Sequence, residues 1–362
     1  PLPDVPVSAW VLADLDSGAI LAAKAPHVQR PPASVLKTLT AVTLAERLDP
    51  DLVYTTTYDD VAVEGSRVGL VENATYTVRE LFLCLMMQSG NDCASALAQA
   101  NGGLELTVAQ MNEEAQRLQA YDTVAMNPSG LPAEGQVSSA YDLALFAREG
   151  LARPDFFEYV NTRVIEDFPG YMPEEPGDPR PTMPIATQNP LFIQGYEGAI
   201  GVKTGWTTEA GRTFVGAAER GGTSLVVTLL NIEGEIYPSA SALLDWGFAN
   251  IDTVTPVGYL VDPITAAPGG AGETTDQTTE QAAPDGTASE PGATEVDAQA
   301  APAASSSTTN WGWVWTLIGA MAVGVVLIVL GLRSLRGPAP RSGGRRARPV
   351  EHDEVEHDYA RN

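Results

Sequence analysis

Apolar side chains follow two different rhythms along this chain. Short apolar runs at 10–13, 19–22, 199–203, 213–217 and 225–230 have the length and content of buried strands. Between the second and third runs, apolar positions recur every three or four residues, which predicts helices over 35–47, 78–88, 92–99, 107–118 and 141–150. A further helix is predicted over 239–248. Asp16-Ser17-Gly18 separates the first two runs and predicts a hairpin turn. Strands at both ends and helices between them imply an α+β fold, with an antiparallel five-stranded sheet built from both chain ends and a helical insertion.

The pattern changes after about residue 264. From 265 to 310 the chain is Ala, Gly, Pro, Ser, Thr and Gln with scattered acids and no aromatic residue, so it cannot bury enough surface to fold and is expected to be a disordered acidic linker. Residues 311–332 then run without a charge, about 33 Å as a helix, enough to cross a bilayer. Trp311, Trp313 and Trp315 gather at its first turn, where indole rings favour the headgroup zone. Six arginines from Arg333 to Arg348 follow it, whereas no Lys or Arg lies between Arg220 and Arg333. The expected topology is therefore a single transmembrane helix with residues 1–264 as an extracytoplasmic domain and 333–362 as an Arg-rich cytoplasmic tail. A tail-anchored cytoplasmic enzyme is the competing topology, and the arginine cluster argues against it. The start at Pro1-Leu2-Pro3-Asp4 lacks an export leader, which suggests a sequence already trimmed.

Charge and composition remove several function classes. A formal net charge of -25 disfavours nucleic acid as a partner. Apart from His27, in what reads as an exposed loop, histidine occurs only at His352 and His357 in the tail, so a Ser-His-Asp, Cys-His or histidine-ligated metal centre would rest on one imidazole. The tail strings His352-Asp353-Glu354 and His357-Asp358 read as solvated polar residues, and no metal or cofactor is expected. Cys84 and Cys93 are the only cysteines, expected as packing residues, with a disulfide in an oxidising compartment as the alternative.

Three strings remain that carry chemistry. Ser34-Val35-Leu36-Lys37 opens the first predicted helix, and a three-residue spacing there puts hydroxyl and amine on one face. The amine can then take the hydroxyl proton during attack. Only Lys24, Lys37 and Lys203 are lysines, and arginine cannot replace a lysine base because it does not deprotonate. Ser89-Gly90-Asn91 falls between two predicted helices, where a helix cap is the plainer explanation for that string alone. Lys203-Thr204-Gly205 ends a predicted strand. The ordered trio is far more specific than any member, and it is the set found in class A β-lactamases and penicillin-binding proteins.

These strings, with Asn127-Pro128-Ser129-Gly130-Leu131 and the run from Gly201 through Gly211, resemble the low-molecular-mass penicillin-binding proteins that are D-alanyl-D-alanine carboxypeptidases. The resemblance spans most of 8–250 and implies a penicillin-binding-protein/β-lactamase-like fold. It implies Ser34 as nucleophile, Lys37 as general base and Ser89 as proton relay to the leaving amine. Asn91 would bond the substrate backbone, Lys203 and Thr204 would hold its terminal carboxylate, and the backbone N–H groups of Ser34 and Trp206 would form the oxyanion hole. The implied substrate is a peptidoglycan stem peptide, the implied inhibitors are β-lactam antibiotics, and the implied setting is a bacterial cell membrane. Some relatives carry a carboxylate-binding arginine where this chain has Asn231-Ile232-Glu233-Gly234-Glu235. A class A-like β-lactamase is disfavoured because no Glu-x-x-Leu-Asn string is present. A catalytically silent, penicillin-sensing scaffold of the same fold is the other rival.

Overall fold

The computed structural model describes residues 1–173 and 177–265. The predicted linker from 266 on, the membrane helix 311–332 and the tail 333–362 lie outside the described residues, and among the described residues no helix is long and apolar enough to cross a membrane.

Strands β1 (Val7–Asp14) and β2 (Ala19–Lys24) form the expected hairpin. Short pairs β3 (Val53–Thr55) with β4 (Thr75–Thr77) and β5 (Val164–Pro169) with β6 (Thr182–Ala186) lie in the insertion. Strands β7 (Ala199–Thr207), β8 (Gly211–Arg220) and β9 (Thr223–Ile232) return the chain to the main sheet, and the two-residue β10 (Gly258–Tyr259) closes its far edge. The sheet is thus six-stranded and antiparallel, in the order β10-β2-β1-β9-β8-β7, rather than five-stranded. β10 is two residues long, too short for a period to show in the sequence; it is held against β2 by the Val257 and Leu260 N–H groups, which donate to the Ile20 and Gly18 carbonyls at 2.8 Å. β1 and β9, from opposite ends of the chain, pair in register from Val7 with Ile232 to Asp14 with Leu225.

The sheet is buried on both faces, which is why its strands read as continuous apolar runs. Ala9, Val11 and Ala13 point to one face, against the helical insertion, whereas Trp10 and Leu12 point to the other. The insertion holds α1 (Lys37–Ala45), α2 (Tyr58–Val61), α3 (Val78–Met87), α4 (Asn91–Ala100), α5 (Leu104–Arg117), α6 (Ala140–Leu151), α7 (Pro154–Asn161) and α8 (Pro190–Ile193). The last helix, α9 (Ile236–Asn250), covers the second face with Ala240, Leu243 and Leu244.

Helix α3 is the buried axis of the insertion. Thr77 and Glu80 cap it reciprocally, the Thr77 hydroxyl accepting from the Glu80 N–H at 3.2 Å and the Glu80 carboxylate accepting from the Thr77 N–H at 2.7 Å. Its Phe82 is fully buried and stacks on Tyr159 of α7 at 4.9 Å. Phe82→Ala is expected to cost about 3–5 kcal/mol, read as a lower denaturant midpoint with an unchanged slope.

Candidate active site

Ser34 sits in a single 3-10 turn, Ala33–Leu36, and Lys37 is the first residue of α1, so the helix starts later than the predicted 35. The tighter turn strengthens the expected geometry, because residues three apart eclipse in a 3-10 helix. Lys37 Nζ lies 3.1 Å from Ser34 Oγ, 2.7 Å from Asn91 Oδ1 and 2.5 Å from the Ser129 carbonyl oxygen. Asn91 Oδ1 and the carbonyl can only accept. A neutral amine has two N–H donors and one lone pair, so with both donors given to those acceptors the lone pair is left toward the serine hydroxyl.

Electrostatics favour that neutral amine. Lys37 is fully buried, and its pKa lies well below the ordinary 10.5, first because burial penalises the ammonium and second because Lys203 is a neighbouring cation; Asp92 pulls the other way. Lys203 on β7 is itself buried, which brings its pKa down to about 7, and its Nζ donates to the Thr204 carbonyl at 2.7 Å.

Two backbone approaches set the nucleophile in place. β7 is the edge strand, and a Cβ at Gly205 would fall 2.9 Å from the Ser34 nitrogen and 3.0 Å from that of Val35, so only glycine lets the strand pass over the turn. Gly130, at φ +81°, also packs against the turn; a Cβ there would lie 2.0 Å from the Ala33 oxygen. The Thr213 hydroxyl on β8 donates to the Pro32 carbonyl at 2.9 Å and fixes the approach to the turn.

Ser89, at φ +60°, occupies the turn between α3 and α4 and lines a cleft of about 570 Å³ together with Ser34, Thr204 and Trp206. A second lobe of about 550 Å³ flanks Ser34 beside Leu131 and Glu209. Trp206, 65% exposed, lines both lobes. All the predicted site residues, Ser34, Lys37, Ser89, Asn91, Lys203, Thr204 and Trp206, therefore meet at one place.

Asn91 has a contact beyond its expected use. Its Oδ1 accepts from Lys37 and one N–H of its Nδ2 donates to the Glu64 carbonyl at 2.7 Å, which leaves the second N–H of the amide available, and Asn91 lines the second lobe. Cys84 and Cys93 form a disulfide, settling the open alternative against free packing thiols. The predicted exposed position of His27 holds; it pairs with Asp122 at 2.9 Å, and neither residue lines the two lobes at Ser34.

Sequence reasoning gave no role to three further groups. The Ser129 carbonyl is aimed at Lys37 by Asn127, whose Oδ1 accepts from the Ser129 and Gly130 N–H groups at 3.1 and 2.8 Å. Asp92 is buried and accepts from the N–H groups of Val68, Gly69 and Leu70, tying down the segment that brings Gly65 and Ser66 to the cleft. Arg212, opposite Trp206 in the β7–β8 register, lines the larger lobe and lies 3.3 Å from Glu235.

Residues 2–234 match the family described as D-alanyl-D-alanine carboxypeptidase. The chain belongs to that family. It is 40% identical over 256 residues to the D-alanyl-D-alanine carboxypeptidase DacB2 of Mycobacterium tuberculosis, covering 69% of this chain and 84% of that protein. To DacD of Escherichia coli it is 31% identical over 275 residues, covering 70% of this chain and 66% of that protein, so it spans just under two thirds of the longer relative. A crystal structure of an evolved putative penicillin-binding protein homolog from M. tuberculosis superposes with a TM-score of 0.65 at 38% identity, over 73% of this chain and 97% of the other. A mutant of the Streptomyces DD-transpeptidase superposes at 0.63 with 27% identity, over 68% and 99%. This penicillin-binding-protein family consists of serine hydrolases, and its fold is the one observed here.

The two buried lysines of this carboxypeptidase-family site make a pH prediction with a definite sign. Below about pH 7 Lys203 is charged and holds down the pKa of Lys37; replacing it by an uncharged side chain of similar length removes that repulsion. Lys203→Met is expected to move the acid limb of the acylation-rate profile to higher pH and to lower kcat/KM for an anionic peptide by roughly 10–100-fold. Lys24→Met, on β2, is expected to leave the limb in place.

Proposed function

We propose that this D-alanyl-D-alanine carboxypeptidase acts on the stem peptide of peptidoglycan through an acyl-enzyme on Ser34. The observation that carries the reading is the 3.1 Å approach of a buried lysine amine to the Ser34 hydroxyl, with the amine's other two contacts being pure acceptors.

The Ser34 oxygen attacks the carbonyl carbon of the penultimate D-alanine while its proton passes to Lys37 Nζ. The tetrahedral oxyanion is met by the N–H groups of Ser34 and Trp206 at the crossing of the turn and β7. The C–N bond breaks as Ser89 hands its proton to the departing amine and takes one in turn from the Lys37 ammonium, and D-alanine leaves. Water then attacks the ester and gives a proton to the neutral Lys37, which returns it to the Ser34 oxygen as the ester C–O bond breaks. Lys203 and Thr204 hold the terminal carboxylate, and Asn91 keeps Lys37 aimed at Ser34 while its free amide N–H bonds the peptide backbone. A β-lactam enters the same first step and stays as a stable ester. None of these steps calls for a metal or cofactor.

The domain plan extends the proposal. Residues 1–264 form the catalytic domain, 265–310 a tether, 311–332 a single membrane span and 333–362 a cytoplasmic tail, placing the enzyme outside the cytoplasm of a bacterial cell where it trims the wall. The uncharged 22-residue run with its arginine cluster supports the anchor, and the Cys84–Cys93 bridge fits an oxidising compartment.

Incubation of a pentapeptide stem with the protein is expected to shorten it by one alanine, read by mass. Ser34→Ala should lower that rate by at least about 10⁴-fold and abolish covalent labelling by a fluorescent penicillin. A parent protein that neither labels nor trims the peptide would reject the acyl-enzyme; labelling without trimming would favour the silent, penicillin-sensing scaffold, and rapid turnover of the penicillin would favour a β-lactamase.

A further inference from the structure

The disulfide lies where the catalytic turn is made. α3 ends at Met87 and α4 begins at Asn91, so Gln88, Ser89 and Gly90 form the whole corner between two packed helices, and Cys84 and Cys93 join the helices on either side of it. Both cysteines are fully buried. The corner is strained: Ser89 takes φ +60°, a left-handed conformation that a serine does not favour and that its surroundings must impose. The bridge is part of those surroundings. Gly90 donates its N–H to the Cys84 carbonyl at 3.3 Å, and a Cβ at Gly90 would fall 2.5 Å from Cys93 Sγ, so the sulfur is packed directly against the corner.

From the bridge to the base is a short path. Asn91, next to Gly90, gives Lys37 Nζ one of its two acceptors, and Asp92, next to Cys93, anchors the backbone of Val68, Gly69 and Leu70. The bridge closes a separation of only nine residues between helices that already pack together, so its leverage falls on the corner more than on the fold.

We propose that the Cys84–Cys93 disulfide is a positioning element for catalysis, holding the Ser89-Gly90-Asn91 corner so that Asn91 and Ser89 stay registered on Lys37 and Ser34. Breaking it lets the corner relax, loosens the Asn91 contact and admits water to Lys37. Because burial is the main cause of the lowered Lys37 pKa, a wetter Lys37 titrates higher, and acylation becomes slower at neutral pH. The inference rests on the acyl-enzyme reading above.

The test uses the full chain in three forms: oxidised parent, parent reduced with dithiothreitol, which is converted to its cyclic disulfide as two thiols form, and the double variant Cys84→Ala with Cys93→Ala. Thiols are counted by mass after alkylation in denaturant, and the rate of acylation by a fluorescent penicillin is measured against pH per folded molecule. The expected result is no free thiol in the oxidised parent, a fall in rate of about tenfold in both bridge-free forms, and an acid limb moved to higher pH. The reduced parent keeps the native side chains, so it decides the matter if the double variant does not fold. Two free thiols in the oxidised parent, an unchanged rate, or a loss with an unmoved acid limb would each overturn the proposal. An oxidised parent that fails to label would instead overturn the acyl-enzyme reading.

Discussion

One buried amine organises this protein. Lys37 Nζ is shut away from water between a hydroxyl, an amide oxygen and a backbone carbonyl, and each of those three comes from a different stretch of chain: the 3-10 turn at Ser34, the start of α4, and the turn at Ser129. Burying a lysine is unfavourable unless its donors are satisfied or its charge is given up, and here the donors are satisfied and burial moves the pKa down. The satisfied acceptors orient the amine, and burial beside a second cation makes its neutral form accessible. A group that must be both hidden and reactive demands a rigid enclosure, which explains why so much of the fold converges on it.

The enclosure is assembled from both ends of the chain. β1 and β9 pair across more than two hundred residues of sequence, giving a sheet buried on both faces, and the edge strand β7 then lies over the Ser34 turn at a distance that only Gly205 permits. The helical insertion supplies the opposite wall through α3, α4 and the Gly130 turn. Two lobes on either side of Ser34, separated by the exposed Trp206, leave room for the two halves of an extended peptide.

Much of this was legible in the sequence because the decisive groups are side chains of rare type. With three lysines in the chain and two of them inside motifs, Lys37 and Lys203 stood out, and both meet at the cleft with Ser34. What stayed hidden has no residue-type signature. The Ser129 carbonyl is a backbone oxygen, and Asn127-Pro128-Ser129-Gly130 reads only as a turn. The Asn91 contact to Lys37 is hidden because composition does not say which way an amide faces. The 164–169 and 182–186 hairpin has a mostly exposed first strand with no clear alternation, and β10 is two residues long. The cysteine spacing fitted either free thiols or a bridge, and only the helix geometry decides between them.

The scarcity of lysine makes the central claim directly measurable. With lysine side chains labelled at the ε-carbon, the native protein gives three resonances, assigned by single replacement of Lys24, Lys37 or Lys203, and each can be followed through a pH titration. The account predicts that the Lys37 signal changes protonation state well below the ordinary 10.5. A Lys37 that titrates at the ordinary value would leave the base charged at working pH and contradict the mechanism.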